Sequence, residues 1–130
     1  MKSVAICGSC RFAEGMREFA RKLKSLGVLV YEPELYRASG GVWEEVKDYD
    51  KKFVALGLTL GHFHKMRMAD VIYVYNQDGY AGVSTNIEIG YAIASDKPIY
   101  VYEAKDEEPY RQCLFAGVAK TPEDLLAYLK

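Results

Sequence analysis

The chain has 130 residues, of which half are apolar and about a quarter are charged, and its formal net charge is −1. These values are typical of one globular domain, here residues 1–130, and give no electrostatic reason to expect binding to nucleic acid or membrane. No apolar run approaches the ~20 residues that cross a bilayer, and no leader pattern opens the chain. Its three cysteines, an odd number, argue against a secreted disulfide framework. We therefore expect a cytoplasmic protein.

In chain order, short apolar runs alternate with longer segments whose apolar residues recur at helical spacing. The runs predict strands at residues 4–7, 28–31, 71–75, 99–102 and 113–116. The periodic segments predict helices at residues 16–26, 46–69, 85–95 and from 122 onward. Gly57 predicts an interruption of the second helix, and Ser39-Gly40-Gly41 predicts a turn. Gly27 suits the position after the first helix, and Thr121 with Pro122 suits the start of the last.

Strands that alternate with helices imply parallel pairing through right-handed crossovers, and therefore a three-layer α/β sandwich. For a chain this short we predict a flavodoxin-like sheet of five parallel strands in the order 2-1-3-4-5. Its topological switch point lies between the first and third strands, where ligands bind in open α/β sheets. The loops at that point are residues 8–15 and 77–84.

The segment from Gly79 to Ala94 is the most informative part of the chain, because it predicts a glycine-bearing loop and the start of a helix. It places Glu88 in the first turn of that helix, whose positive end would favour an ionised carboxylate. Such a carboxylate can attack an anomeric carbon. Thr85-Asn-Ile-Glu88 equally fits a capping box, in which Glu88 only binds the Thr85 amide. Gly90 suggests a close approach by the sheet or a ligand.

The loop after the first strand, Gly8-Ser9-Cys10-Arg11-Phe12, offers backbone amides, a hydroxyl and a guanidinium ahead of a helix. These groups could hold a phosphate together. The loop lacks the further glycines of a dinucleotide fingerprint and the Gly-Lys-Ser/Thr of a Walker loop. An ordinary connecting loop with a solvated arginine fits the same residues.

Cys7-Gly-Ser-Cys10 follows a strand, so a thioredoxin-like dithiol is an alternative. Against it, Cys7 belongs to the apolar strand, and the helix is expected several residues after Cys10. His62 and His64 are two apart on a helix and face different ways, and Cys113 lacks zinc-site spacing, so we expect no metal. We expect one histidine to reach the crevice, and a surface role suits His64 better. Asp70 is expected to be structural.

Three sets of residues together resemble the nucleoside 2-deoxyribosyltransferase superfamily, including its 2′-deoxynucleoside 5′-monophosphate N-glycosidase branch. They are Gly8-Ser9-x-Arg11 after the first strand, Ala69-Asp70 before the third, and Glu88-Ile-Gly90-Tyr-Ala followed by Lys97-Pro98. The resemblance covers nearly the whole chain and implies a flavodoxin-like fold. It also implies a homodimer or higher homo-oligomer in which a neighbouring subunit helps to complete each site.

The family's chemistry needs no cofactor, and the resemblance assigns roles to particular residues of this chain. Glu88 matches the nucleophile, and Ser9 and Arg11 match residues that contact a 5′-phosphate, with Ser84 as a looser match. Gly8 and Gly82 belong to the same two loops and are expected at the substrate. Two positions depart from the family's pattern. Ala5 stands where a tyrosine is usual, and His62 stands where the family has an acidic proton-transfer residue.

The sequence therefore predicts an N-glycosidase or deoxyribosyltransferase that acts on a nucleoside or nucleoside 5′-monophosphate. Glu88 is its expected nucleophile and His62 its proton shuttle. Because histidine has a reference pKa near 6.5, we expect His62 to produce a limb near pH 6–7 in the pH–rate profile. A nucleotide-binding sensor of the same fold is the alternative function, and a redox dithiol protein is a third.

Overall fold

A computed structural model describes residues 1–35 and 42–130 of the chain; the predicted turn at Ser39-Gly40-Gly41 lies outside these residues. Five parallel strands form one sheet in the order β2-β1-β3-β4-β5. The strands are β1 (Val4–Cys7), β2 (Val30–Tyr31), β3 (Val71–Val74), β4 (Ile99–Val101) and β5 (Gly117–Val118). The predicted flavodoxin-like α/β fold and its strand order are confirmed.

Helices cover both faces of the sheet, as parallel pairing requires. They are α1 (Ala13–Ser25), α2 (Val42–Glu45), α3 (Asp48–Met68), α4 (Val83–Ala94), α5 (Pro109–Gln112) and α6 (Pro122–Leu129). Helices α1 and α6 pack on one face and α3 and α4 on the other, so alternate residues of β1 and β3 enter two separate apolar clusters. None of the helices that the structure describes is both long and apolar enough to cross a membrane.

The ends of α1 and α6 agree with the sequence signals. Gly27, just after α1, has a φ of 85°, a conformation that glycine adopts without strain. Thr121 caps α6 through a complete capping box with Asp124, and Pro122 is the first helical residue. Asp70 accepts hydrogen bonds from the backbone and hydroxyl of Ser3, which supports the structural role predicted for it.

Two strands differ from their predicted bounds. β5 pairs with β4 through Gly117 and Val118 rather than through residues 113–116. The reason is local, because Glu108 caps the short helix α5 and the chain must leave that helix before it can pair. β2 contains only Val30 and Tyr31 of the predicted residues 28–31.

Helix α3 runs through Gly57 without a break, so the predicted interruption is wrong. A Cβ at Gly57 would meet nothing within 4 Å, and no neighbouring backbone requires a glycine there. The predicted apolar face of this helix is also not buried in its first half. Tyr49, Phe53, Leu56 and Leu60 are each more than half exposed.

Helix α4 begins two residues earlier than predicted. Gly82 is its N-cap and Val83 its first residue, so Glu88 lies in the second turn rather than the first. The capping box of Thr85 with Glu88 is therefore wrong, because neither residue stands at the position that it requires. A Cβ at Gly90 would meet nothing within 4 Å in the described chain, so the sheet does not approach this glycine closely.

Candidate functional site

A cavity of about 260 Å³ opens beside the carboxyl end of β1, lined by Gly8 after that strand, by residues 33–35 after β2 and by residues of α3 and α4, and it adjoins the predicted switch point. Its apolar wall includes Leu35, Trp43, Leu58 and Ile87. Its polar end is formed by residues that the sequence singled out, namely Gly8, His62, Ser84 and Glu88. Three separate segments of the predicted site therefore meet around one cavity.

Glu88 and His62 face each other across the polar end of this cavity. Glu88 Oε2 lies 3.5 Å from His62 Nε2, and the two side chains are only 13% and 6% exposed. The Sγ of Cys7 lies 3.4 Å from the same His62 nitrogen. A 21-residue helix carries His62, and the last residue of β1 is Cys7, so rigid elements fix these atoms.

Burial decides the protonation of this pair. Desolvation raises the pKa of Glu88 from 4.5 to about 8. Desolvation, helped by the positive charge of Lys65, lowers the pKa of His62 from 6.5 to about 4, while the Ile6 backbone acts in the opposite direction. At neutral pH the carboxyl group of Glu88 is therefore protonated and the imidazole of His62 is neutral. The pair shares one transferable proton, which lies on Glu88, and neither residue is charged.

Two electrostatic expectations from the sequence are thus wrong. Glu88 is not kept ionised by the helix N-terminus, because it lies in the second turn and its burial outweighs the helix dipole. His62 does not titrate near pH 6–7, because burial disfavours its charged form. A sequence pattern locates a side chain along an element but gives little information on how much water reaches it.

The Cys7–Cys10 motif does not have the features of a redox dithiol. Cys7 is completely buried, and desolvation followed by the charge of Glu88 raises the pKa of its thiol well above the usual value. A reactive thiol needs the opposite shift. The α-helix α1 begins only at Ala13, after a 3-10 turn over Cys10–Phe12, so it starts three residues after Cys10, in agreement with the sequence.

Ser9 and Arg11 lie beside the loop that precedes α4. The Ser9 hydroxyl accepts a hydrogen bond from the Arg11 amide, which fixes the turn. The Arg11 guanidinium lies 3.7 Å above the centre of the Tyr80 ring. A Cβ built on Gly82 would lie 3.8 Å from Ser9 Oγ, so the two glycine-bearing loops adjoin as predicted for a shared ligand.

The N-terminus of α4 opens toward the same place. Gly82 provides no side chain to cap it, and no side-chain hydrogen bond satisfies its first amides within the described residues. Free amides and the positive end of a 12-residue helix attract an anion. With the exposed Arg11 on the adjoining loop, over the Tyr80 ring, this is a suitable position for a phosphate group.

A buried polar network holds the loop before α4 in place. Arg111 binds the Asp106 carboxylate, the Gly79 carbonyl and the Asn86 side chain. Asn76, at the end of β3, donates a hydrogen bond to Asp106. Each buried charge has a partner, and the network joins α4 to the sheet. Because these residues look like an ordinary polar loop in sequence, the prediction missed them.

The predicted surface role for His64 agrees with its position. It is exposed and lies 3.4 Å from the Arg67 side chain, whereas His62 is buried in the cavity. The sequence reasoning missed Trp43, the one tryptophan of the chain, which lines the cavity wall. Its only sequence signal was its rarity, since nothing in the spacing connects residue 43 to the switch point.

The chain matches no protein-family model and no curated protein. Among solved structures, a 2-deoxyribosyltransferase from Bacillus psychrosaccharolyticus aligns with 95% of this chain and 89% of its own, with a TM-score of 0.67 and 13% identity. This chain has the 2-deoxyribosyltransferase fold. A conserved protein from Enterococcus faecalis V583 aligns with a TM-score of 0.60 and 17% identity, over 99% of this chain and 97% of that one. The resemblance drawn from the sequence is confirmed at the level of the fold.

Proposed function

We propose that the protein cleaves or transfers at the N-glycosidic bond of a nucleoside or nucleoside 5′-monophosphate, with Glu88 as the nucleophile. The observation that carries the proposal is the buried Glu88–His62 contact of 3.5 Å, at the end of a cavity with an apolar wall. A cavity of about 260 Å³ is near the lower end of ligand sites, about 300 Å³, and suits one nucleoside better than a dinucleotide. No cofactor is needed for this chemistry.

The single proton of the Glu88–His62 pair supplies both steps of the mechanism. Its transfer to His62 Nε2 leaves a carboxylate that attacks C1′, while the new imidazolium gives the proton to the departing base. The carbon–nitrogen bond breaks as a glycosyl ester forms on Glu88, and His62 is neutral again. Water or a second base then displaces Glu88, returns one proton to the pair and retains the anomeric configuration.

A 5′-phosphate is proposed to bind at Ser9, Arg11 and the first amides of α4, beside Gly82 and Ser84. The adjoining loops and the uncapped helix N-terminus support this position. The sugar would then lie between the phosphate position and Glu88, with Gly8 beneath it. The base would lie against the apolar wall that includes Trp43 and Leu58.

We also propose that the protein is a homodimer or higher homo-oligomer that associates through α3 and α4. Four exposed apolar side chains on α3, at residues 49, 53, 56 and 60, are spaced to lie on one helix face. On α4, Val83 and Ile87 are 78% and 52% exposed. Contiguous apolar surface of this kind marks interaction sites, and Ile87 also lines the cavity, so a second subunit would adjoin it.

Sedimentation analysis of the wild type and a Leu56→Glu variant tests this association. We expect an oligomer for the wild type and a monomer for the variant. Leu29→Glu is the control, because Leu29 is 60% exposed and precedes β2 rather than lying on α3 or α4. A monomeric wild type at micromolar concentration, or an oligomer that survives Leu56→Glu, would contradict the proposed interface.

A nucleotide-binding sensor is the second candidate, and the raised pKa of Glu88 favours it in one respect. A carboxyl group with a pKa of about 8 is protonated at neutral pH and can donate a hydrogen bond to a ligand without attacking it. Both candidates predict ligand binding, which the fluorescence of Trp43 should report. Only the enzyme releases a base.

Incubation with a panel of nucleosides and their 5′-monophosphates, with and without an added free base, separates these functions. Chromatography should show release of the base, or its exchange for the added one. Release without an acceptor identifies a hydrolase, and exchange identifies a transferase. Ligand-dependent quenching of Trp43 without release or exchange across the panel would contradict the enzyme and support the sensor.

A further inference from the structure

Three different metal-binding groups converge at the polar end of the cavity. They come from three separate elements, with Cys7 at the end of β1, His62 on α3 and Glu88 on α4. One donor atom from each lies within 4.8 Å of the other two. The sequence predicted no metal because Cys113, His62 and His64 lack zinc-site spacing, and residues 7, 62 and 88 are far apart along the chain. Only the fold brings them together.

The two distances that involve His62 fit a tetrahedral ion, and the third pair, Cys7 Sγ and a Glu88 carboxylate oxygen, lies within 4.8 Å. With bonds of about 2.3 Å to sulfur and about 2.0–2.2 Å to nitrogen or oxygen, tetrahedral ligand atoms lie roughly 3.3–3.6 Å apart. In the structure His62 Nε2 lies 3.4 Å from Cys7 Sγ and 3.5 Å from Glu88 Oε2. The same nitrogen faces both partners, so an ion among the three atoms would use one ligand atom from each residue.

The chemistry of the three groups also narrows the choice of ion. A thiolate with an imidazole and a carboxylate is a set that zinc accepts, whereas magnesium and calcium require oxygen ligands. Three protein ligands leave the fourth tetrahedral position for water or a ligand. Gly8 and Ser84 line the adjacent cavity, so that position has space.

We propose that Cys7, His62 and Glu88 bind one zinc-class divalent cation, Zn²⁺ or Co²⁺, with its fourth coordination position open to the cavity. As it binds, the ion displaces two protons into solvent, one from the Cys7 thiol and one from the Glu88 carboxyl group, because these groups coordinate a cation in their deprotonated forms. It also occupies the carboxylate oxygen and the imidazole nitrogen that glycoside cleavage needs. Bound metal therefore inhibits base release reversibly, a consequence that rests on the proposed function, whereas the binding itself does not.

Titration of metal-free protein with Co²⁺ tests the binding directly. We expect one equivalent to produce a thiolate-to-cobalt charge-transfer band together with the visible bands of tetrahedral Co²⁺. Cys7→Ser should remove the charge-transfer band and weaken Zn²⁺ binding at least tenfold by calorimetry, and His62→Gln should weaken it similarly. Cys10→Ser and Cys113→Ser are matched controls and should keep the band. Circular dichroism of each variant establishes that it is folded.

The absence of a charge-transfer band at saturating Co²⁺, or a band that survives in folded Cys7→Ser, would overturn the site. The activity measurement is separate and compares base release with Zn²⁺ to release after addition of a chelator. Inhibition that the chelator reverses in the wild type supports the regulatory consequence, and undiminished release by the metal-bound protein refutes it. If the protein binds Co²⁺ but releases no base from any nucleoside, the metal site is supported and only the proposed enzymatic function is refuted.

Discussion

Replacement of Glu88 by glutamine should stabilise the protein, and the gain should grow with pH. The folded state keeps the Glu88 proton up to about pH 8, whereas the unfolded chain releases it near the ordinary value of 4.5. Because the folded state binds more protons between these values, the wild-type unfolding free energy falls as pH rises through this range. Glutamine has no proton to lose, so Glu88→Gln removes this fall.

The size of the effect follows from the two pKa values of Glu88, 4.5 and about 8. Each tenfold difference in proton affinity corresponds to about 1.4 kcal/mol, so the raised pKa of the buried carboxyl lowers the unfolding free energy by about 1 kcal/mol at pH 5, about 3 at pH 7 and about 5 at pH 9. Loss of the Glu88–His62 contact also changes the unfolding free energy of the variant, by an amount that does not grow with pH. The difference in unfolding free energy between variant and wild type should therefore increase by about 4 kcal/mol from pH 5 to pH 9.

Urea denaturation of both proteins at pH 5, 7 and 9, in the presence of a chelator, measures this difference. His62→Gln is the matched control, because the pKa of His62 is lowered from 6.5 to about 4. In that case the unfolded chain binds more protons, so the stabilisation by glutamine is confined to pH values below about 6.5. A Glu88→Gln difference that stays flat within about 0.5 kcal/mol across the range would refute the buried, protonated carboxyl.

Two further predictions concern the proposed reaction. Arg11→Ala should weaken binding of a nucleoside 5′-monophosphate at least about tenfold and scarcely change that of the matching nucleoside, because a charge-assisted hydrogen bond contributes roughly 1.5–3 kcal/mol. Tryptophan fluorescence titration checks this against Arg17→Ala, and equal losses for both ligands would exclude the phosphate role. His62→Gln should lower turnover by about 10²–10⁴-fold while His64→Gln does not. In the wild type with chelator, turnover should fall above about pH 8, because the Glu88–His62 pair then loses the proton that the reaction needs. In His62→Gln, turnover should instead rise with pH as Glu88 ionises. A variant with the wild-type pH profile would contradict the sharing of a proton between Glu88 and His62.

The fold could be predicted because local signals agreed with one another. The apolar runs that became β1, β3 and β4 are bounded by glycine, proline or acidic residues, and their alternation with helices permits few topologies. β5 was placed four residues too early, because α5, the local helix that Glu108 caps, has only four residues and leaves no periodic apolar pattern in the sequence. The part of α3 from Tyr49 to Leu60 is exposed, although its apolar residues have the spacing of a buried helix. For one chain considered alone, that spacing predicts burial in the core.

The proximity of the candidate site residues could be predicted from the sequence, but their electrostatics could not. The sequence identified Glu88 and His62, and the fold places them 3.5 Å apart. It did not predict that both would lose their charges, because burial depends on helices α3 and α4 packing over the end of β1. Cys7 was assigned to the strand core, correctly, yet its thiol also faces His62, a contact between residues 55 positions apart.

The central claim is that Glu88 attacks the sugar, and base release by a Glu88→Ala variant tests it most directly. The assay uses the nucleoside or monophosphate that the panel identifies, with chelator present and with circular dichroism to establish that the variant is folded. Removal of a nucleophile should lower turnover by at least about a thousandfold, while His64→Gln, a change at the exposed neighbour, leaves it near the wild-type value. Base release near the wild-type rate by folded Glu88→Ala would contradict the mechanism.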